Sequence, residues 1–155
     1  MSVPTKWSRC ATSKLSAAQS WLTGLWAGGL LSVALVAAPT AFATLERPQA
    51  GLYVAGLFRA EAWYSLALGV LLIMVEQRLQ RAQDERRFRF GLGFVVPVAV
   101  LVLTLIGAEV LQPLIQQAKM TGQGSFALLH AASTGVFALK STLVAYMAWA
   151  LVPRR

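Results

Sequence analysis

The sequence is short of charged residues, cysteine and histidine, and each shortage excludes a class of protein. Only 13% of its 155 residues are charged, whereas soluble domains have about a quarter, and 57% are hydrophobic. The single cysteine, Cys10, excludes an intramolecular disulfide and a CxxC site. The single histidine leaves too few ligands for a zinc or copper site, and no phosphate-binding loop, GxSxG elbow or HExxH motif occurs. This composition indicates a membrane protein rather than a soluble enzyme.

Four long apolar segments account for most of the chain. They cover residues 18–45, 48–75, 90–111 and 126–152, and each has the roughly 20 residues that a helix needs to cross a bilayer. None shows the two-residue alternation of a barrel strand, and open strands cannot satisfy their backbone groups in lipid. We therefore predict an all-α fold, an integral membrane four-helix bundle of residues 18–155, preceded by a polar cytoplasmic tail of residues 1–17.

The basic residues are distributed unequally among the segments that connect the spans. Ten Lys and Arg residues lie before the first span, between the second and third spans, and after the fourth. Only Arg47 and Lys119 lie in the other two connections. Because cytoplasmic loops are enriched in Lys and Arg, both termini are predicted to be cytoplasmic. Topology therefore explains the net charge of +8, and we expect no nucleic acid partner.

Parts of the spans admit more than one local structure. The first apolar segment ends in Ala41-Phe42-Ala43, which resembles a signal-peptide cleavage site, but its apolar run is longer than such peptides have, and a retained span is preferred. The basic connection EQRLQRAQDERRFRF is interpreted as a solvated extension of the second span, with an amphipathic lipid-binding helix as the alternative. Pro39 and Pro97 are each expected to bend their helix, because proline removes one backbone hydrogen bond.

The second span has an alternative position relative to the bilayer. Pro48 suits the first turn of a helix, which in this alternative runs above the membrane before entering it. An interfacial belt would then include Arg59, Glu61, Trp63 and Tyr64. This arrangement leaves a charge-free run of only residues 62–75, which is too short to span comfortably, so a span that starts near Pro48 is preferred.

Small residues recur along the first span at a spacing that suits helix packing. Gly24, Gly28 and Ser32 follow one another every four residues, and Gly29 lies beside them. This spacing lets two helix backbones approach closely in lipid. The stripe predicts packing within the bundle, with a homodimer as the alternative.

The fourth span carries its polar residues on one face. At about 100° per residue, one sector of roughly 120° holds His130, Ser133, Thr134, Phe137, Lys140 and Ser141. We expect this polar face to point into the bundle. The opposite side is assigned Leu128, Ala131, Leu139 and Val144.

Depth along the helices predicts partners for the charged residues of the spans. Counted from the cytoplasmic end, Lys140 and Glu61 lie about 18 and 22 Å up, near mid-membrane. Glu109 and His130 lie about 29 and 33 Å up, near the outer surface. Because an unpaired charge at mid-bilayer costs about 3 kcal/mol, we predict the pairs Glu61–Lys140 and Glu109–His130. A purely structural role, in which such a pair only ties two helices together, is the alternative to a functional one.

Three stretches, LWAGGLLSVALVAAPTAF, AGLYVAGLFRAEAW and FALLHAAST, resemble a known family. This family consists of bacterial membrane proteins that contain the domain of unknown function 4149, and it is related to eukaryotic transmembrane protein 205. The positions that carry the resemblance are Leu25, Trp26, Gly28, Ala38, Pro39, Phe42, Leu57, Phe58, Leu129 and His130. The resemblance implies four helices in a bacterial inner membrane, and the link of the eukaryotic relative to platinum-drug resistance suggests export or trafficking. A more distant similarity is to copper-resistance membrane domains and to four-helix protoporphyrinogen oxidases, which rely on a histidine and a lysine within the membrane.

Three functions fit these features. The first, which is preferred, is transport of a solute or metal, or support of such transport, along the polar face of the fourth span. The second is a haem-dependent membrane oxidoreductase that uses His130. The third is an accessory subunit whose charges only hold the bundle together. No cofactor is predicted, with haem as the alternative, and the expected partners are the lipid bilayer and a homodimer or a larger membrane complex.

Overall fold

The computed structural model describes residues 6–82, 89–121 and 126–152, and among these residues it contains four long helices and no strand. The helices α1 and α3 each contain one π-helical turn. Helix α1 consists of Lys6–Ser32, the π turn Val33–Ala37 and Ala38–Thr44, and α2 is Arg47–Ala82. Helix α3 consists of Leu92–Leu105, the π turn Ile106–Leu111 and Gln112–Thr121, and α4 is Phe126–Ala150.

Each of the four helices is long and apolar enough to cross a membrane. In their most apolar windows, only 22% of the residues of α1, α2 and α3, and 17% of those of α4, are buried inside the bundle. Most of the apolar side chains therefore face outward, which a soluble monomer does not tolerate over so large an area. The prediction of an all-α protein with four apolar helices is confirmed.

Two helices extend beyond the ends predicted for their spans. Helix α2 continues to Ala82 instead of ending at residue 75, and α3 continues to Thr121 instead of ending at residue 111. These extensions are polar but contain good helix formers, so the helices do not stop where the apolar run stops. The start of the basic connection is thus an extension of α2, and residues 83–88 lie outside the described part of the chain.

Both π turns lie directly before a proline. Val33–Ala37 precedes Ala38-Pro39, and Ile106–Leu111 precedes Gln112-Pro113. In each case the amide just before the proline donates to the carbonyl five residues back. One wider turn accommodates the proline, which lacks an amide hydrogen, without breaking the helix. A π turn thus precedes Pro39, whereas Pro97 lies within an α-helical part of α3 and the second π turn precedes Pro113. The bends expected at Pro39 and Pro97 stay predictions.

The apolar core lies toward one end of the bundle, where α1 and α3 begin and α2 and α4 end; we call this the termini end and the other the loop end. Buried side chains from all four helices meet there. They are Trp26, Ala27, Leu30, Leu72, Val96, Val100, Val144 and Met147. Close packing of α2 on α3 depends on Gly69, because a Cβ at this position would lie 2.8 Å from Leu101 Cδ2.

Toward the loop end the helices α2 and α3 diverge. Helix α2 packs along Leu92–Leu105 of α3, whereas the π turn and Gln112–Thr121 pack against α4. Leu92–Leu105 also contacts α4, so from the π turn onward α3 keeps its contact with α4 and loses most of its contact with α2. A space therefore opens between α2 and the second half of α3, on the loop-end side of the core.

Candidate functional site

A buried ion pair joins α2 to α4. Lys140 Nζ donates to Glu61 Oε2 at 2.6 Å, and only 6% and 3% of the two side chains' areas are exposed. At 1.5 Å per residue, each residue lies about 21 Å from the loop-end start of its helix, which explains why the two meet. The structure therefore brings together the residues of the first predicted pair.

The Glu61 carboxylate is also connected to α1 through a hydroxyl group. Trp26 Nε1 donates to Ser65 Oγ at 2.9 Å, and Ser65 Oγ donates to Glu61 Oε1 at 2.5 Å. Trp26 and Ser65 are both fully buried. A buried charge costs several kcal/mol unless it is paired and hydrogen-bonded, and here each carboxylate oxygen has its own partner. We call this chain of contacts, from Trp26 through Ser65 and Glu61 to Lys140, the Trp26–Lys140 network.

A cavity of about 810 Å³ lies against this network on its loop-end side, between α2, α3 and α4. We call it the cleft. Its volume is in the range of sites that bind small molecules. Both apolar and polar side chains line it, and the polar ones are Arg59, Glu61, Thr104, Glu109, Gln112, Gln116, Ser133 and Lys140. The ion pair therefore lies at the floor of the cleft instead of inside a closed core.

One phenylalanine ring at the cleft lies against the ammonium group, and a second ring packs on the first. Lys140 Nζ lies 5.0 Å from the centroid of the Phe137 ring. The Phe137 ring in turn contacts Phe58 edge to face, with 5.0 Å between the centroids. A cation within about 6 Å of a ring centroid is attracted by the ring's negative face. The lysine is therefore held by a carboxylate and by an aromatic face.

The predicted polar face of α4 is divided among three environments. Lys140 and Ser141 are buried, and Ser133 lines the cleft. Thr134 is exposed and donates to the carbonyl of His130 at 2.9 Å. Only the part of this face near Lys140 thus points into the bundle.

The opposite side of α4 was predicted wrongly at one position. Leu128, Ala131 and Leu139 are exposed, as expected, but Val144 is fully buried. Val144 follows Lys140 by four residues, which is close to one helical turn, so the two share a face.

The structure does not bring Glu109 and His130 together. Glu109 lies about 18 Å from the loop-end terminus of α3, whereas His130 lies only about 6 Å from the loop-end terminus of α4. The predicted pairing used depth counted from the cytoplasmic end, and that count did not include the ten residues by which α3 extends beyond residue 111 at the loop end. His130 is instead exposed and stacks on Phe126, with 5.9 Å between the ring centroids.

The small-residue stripe of α1 contacts another helix at one position. A Cβ at Gly29 would lie 2.7 Å from Tyr64 Cε1 of α2, so this glycine allows the tyrosine to pack on α1. Gly24, Gly28 and Ser32 are exposed, and open space surrounds the two glycines. Their expected role in packing within the bundle is therefore not seen, and a homodimer through this face stays a prediction.

A second polar network, at the termini end, was not predicted from the sequence. Gln19 Nε2 donates to Glu76 Oε2 at 2.7 Å, and Gln80 Nε2 donates to Glu76 Oε1 at 2.8 Å. Gln80 also accepts from the amide of Arg89 and donates to its carbonyl. Gly93 makes room for this network, because a Cβ there would overlap the Glu76 carboxylate. The available signal was the spacing of four between Glu76 and Gln80, which becomes meaningful only when α2 extends past residue 75.

The described residues hold no group of three or more His, Cys, Asp or Glu side chains that could bind a metal ion. His130, the alternative haem ligand, is exposed near the start of α4. The expectation of no cofactor, with haem as the alternative, stays a prediction.

Comparison with known proteins gives a family match that covers the α2 and α3 walls of the cleft but not its α4 wall. A family model described as "Domain of unknown function (DUF4149)" matches residues 21–124. No curated protein and no solved structure matches the chain. The matched region includes Trp26, Ser65, Glu61 and Glu109, whereas α4 with Lys140 follows it.

Proposed function

We propose a transport function for this chain, which belongs to the DUF4149 family, a domain of unknown function. In this function the four helices cross a bacterial inner membrane, and a small solute passes through the cleft. The observation that supports it is the position of the buried ion pair at the floor of an 810 Å³ cavity. The matched region contains the first two sequence motifs that resemble the family, and the third, FALLHAAST, follows it.

The orientation proposed for the protein follows from its basic residues. Ten Lys and Arg residues belong to the segments at the termini end, and the positive-inside rule assigns that end to the cytoplasm. The loop end then faces outward, and the cleft opens on the outer side of the membrane.

The ion pair acts as the gate in this proposal. Beyond the pair, toward the termini end, the cleft is closed by the apolar core around Trp26 and Val100. A solute that enters the cleft stops at Glu61 and Lys140, so its passage requires the pair to separate. Separation without a compensating charge costs about 3–5 kcal/mol for a buried pair. A solute that supplies such a charge, or a proton on Glu61, lowers this cost and couples loading of the cleft to opening of the gate.

Access to the cleft from each side of the membrane tests this function. A single cysteine is introduced as Ser133→Cys in a Cys10→Ser background and treated with a membrane-impermeant maleimide in right-side-out and inverted vesicles. We expect labelling from the outer side only, because Ser133 lines the cleft above the closed gate. Adding Glu61→Gln or Lys140→Gln removes the ion pair and should make the same cysteine reactive from both sides. The matched control is Leu139→Cys, which is exposed on the apolar surface of α4 and should stay unreactive in the bilayer.

Two outcomes would overturn the proposal. If Ser133→Cys is unreactive from both sides, the cleft is not a water-accessible path. If access stays one-sided in both gate variants, the ion pair is a structural tie between α2 and α4, and the accessory-subunit interpretation replaces transport.

A further inference from the structure

Two charged residues of opposite sign line the cleft and have no partner in the part of the chain that the structure describes. Arg59 belongs to α2 and Glu109 to the π turn of α3. No ion pair or hydrogen bond joins them, and neither side chain has another partner in the described ranges. This contrasts with Glu61 and Lys140, which neutralise each other. The walls of the cleft thus present a guanidinium group and a carboxylate that have no partner among the described residues.

Both charges lie near the boundary between hydrocarbon and headgroups when the helices span a bilayer. A hydrocarbon core of about 30 Å takes about 20 helical residues. We place the termini-end boundary of this hydrocarbon core at Glu76 of α2 and at Leu92 of α3. The loop-end boundary of the core then lies within about 5 Å of both Arg59 and Glu109. Ionisable residues in such spans face cavities and mark ligand paths. The two charged side chains therefore lie at the same depth in the bilayer as the headgroups of the surrounding lipids.

The cleft is open at its side as well as at its end. Helix α2 leaves α3 at the π turn, and the cleft is lined by side chains that are exposed on the outer surface of the bundle, including Leu52, Trp63 and Leu105. Deeper in the cleft, Leu66 and Leu103 provide apolar walls. A ligand can therefore enter from the lipid with an apolar part against these walls and a polar part toward the loop end.

We infer that the cleft binds a zwitterionic amphiphile, with its acidic phosphate on Arg59, its ammonium group on Glu109 and its acyl chain between α2 and α3. The arginine fork matches a phosphate, and the carboxylate matches an ammonium group. A molecule with one charge only would leave the other residue unpaired. This inference rests on the proposed function, in that it names the class of solute for the same cleft.

The test measures binding of a tail-labelled fluorescent phosphatidylethanolamine to the full-length protein in detergent, by fluorescence anisotropy. Unlabelled phosphatidylethanolamine, phosphatidylglycerol and glycerophosphoethanolamine serve as competitors. We expect the zwitterionic lipid to compete at least about tenfold better than the anionic lipid, since only the former satisfies both charges. Arg59→Gln and Glu109→Gln should each weaken binding about tenfold or more, and the double exchange Arg59→Glu with Glu109→Arg should restore it.

The control variants are Arg81→Gln and Glu46→Gln, which remove exposed charges outside the cleft and should leave binding unchanged. Equal competition by the two lipids would overturn the inference, as would Arg59→Gln and Glu109→Gln variants that bind normally. Competition by glycerophosphoethanolamine as strong as that of the intact lipid would also overturn it, because a soluble zwitterion would then suffice.

Failure here is distinguishable from failure of the transport proposal. If phosphatidylethanolamine does not bind but Ser133→Cys responds to the gate variants, only the class of solute is wrong. If the lipid binds selectively but Ser133→Cys is unreactive from both sides, the lipid-binding inference is supported and the transport proposal is wrong.

Discussion

Removing one partner of the Glu61–Lys140 pair should destabilise the protein strongly, and removing both should restore most of the loss. The single variants are Glu61→Gln and Lys140→Met, which keep the side-chain volume nearly constant. Glu61→Gln leaves a buried ammonium group whose neighbours, the new amide and the Phe137 ring, carry no net negative charge. Lys140→Met leaves a buried carboxylate with only the Ser65 hydroxyl as its partner.

The magnitude follows from the burial of the two groups. Both side chains are more than nine-tenths buried, so solvent screens neither of the orphaned charges. Breaking such a pair by removing one partner costs about 3–5 kcal/mol, whereas replacing both partners with neutral groups of similar volume is close to neutral. We therefore expect each single variant to lose about 3–5 kcal/mol and the double variant to lose less than about 2 kcal/mol. The coupling energy between the two sites should then exceed about 4 kcal/mol.

The assay is reversible unfolding in mixed lipid–detergent micelles with an increasing fraction of dodecyl sulfate, followed by tryptophan fluorescence. Trp26 is fully buried at one end of the network and should report on its disruption. The matched controls are Lys14→Met and Glu46→Gln, whose side chains are exposed, and each should change the free energy of unfolding by less than about 0.5 kcal/mol.

Two results would refute this reasoning. If the effects of the single variants add in the double variant, the two charges do not interact in the folded protein. If each single variant costs less than about 1 kcal/mol, the pair is accessible to water and the closed floor of the cleft does not exist.

Four further measurements check other parts of the structure. Gly93→Ala should cost about 1–3 kcal/mol of unfolding free energy, since its Cβ overlaps the Glu76 carboxylate, whereas Gly135→Ala, which has open space around it, should be neutral or slightly stabilising. Ser65→Ala should cost about 1–3 kcal/mol in the same assay, because it removes one partner from both the Trp26 indole and the Glu61 carboxylate. A C-terminal fluorescent-protein fusion should fluoresce and an alkaline phosphatase fusion should be inactive, whereas the opposite pattern would invert the proposed orientation. The purified protein should show no Soret band, and a band that is lost in His130→Ala would instead support the haem alternative.

The ion pair could be predicted from the sequence because it depends on two simple quantities. One is the free-energy cost of leaving Lys140 unpaired in lipid, and the other is the depth of each residue along its helix. Depth is well determined when the helix ends are, and Glu61 and Lys140 lie at nearly equal distances from the starts of their helices. The predicted depths were counted from the opposite ends, and α2 extends seven residues beyond its predicted end there, so the equal distances from the loop end explain the contact better than the original count does.

The remaining contacts depended on details that the apolar pattern does not contain. Depth counted from the cytoplasmic end did not locate Glu109 relative to His130, because the polar stretch after residue 111 remains helical and moves the loop end of α3 ten residues farther from Glu109. The Gln19–Glu76 contact joins helices that are distant in sequence, through side chains that a pattern of apolar residues ignores. The cleft itself follows from the divergence of α2 and α3 at a π turn, and no rule of spacing locates such a turn at Pro113 and not at Pro97.

The order of the Trp26–Lys140 network along the chain has a consequence for biosynthesis. Trp26 and Ser65 are made before or just after Glu61, but Lys140 follows the carboxylate by 79 residues. At about 5–20 residues per second, the ribosome needs about 4–16 s to reach the lysine. During that interval α2 must enter the bilayer with an acid that lacks its counter-ion, and the Trp26–Ser65 hydrogen bonds are the partners already at hand. These hydrogen bonds connect the acid to the first helix before α4 is made, and a ribosome stalled before α4 should leave a three-helix intermediate that retains the Trp26–Ser65–Glu61 contacts.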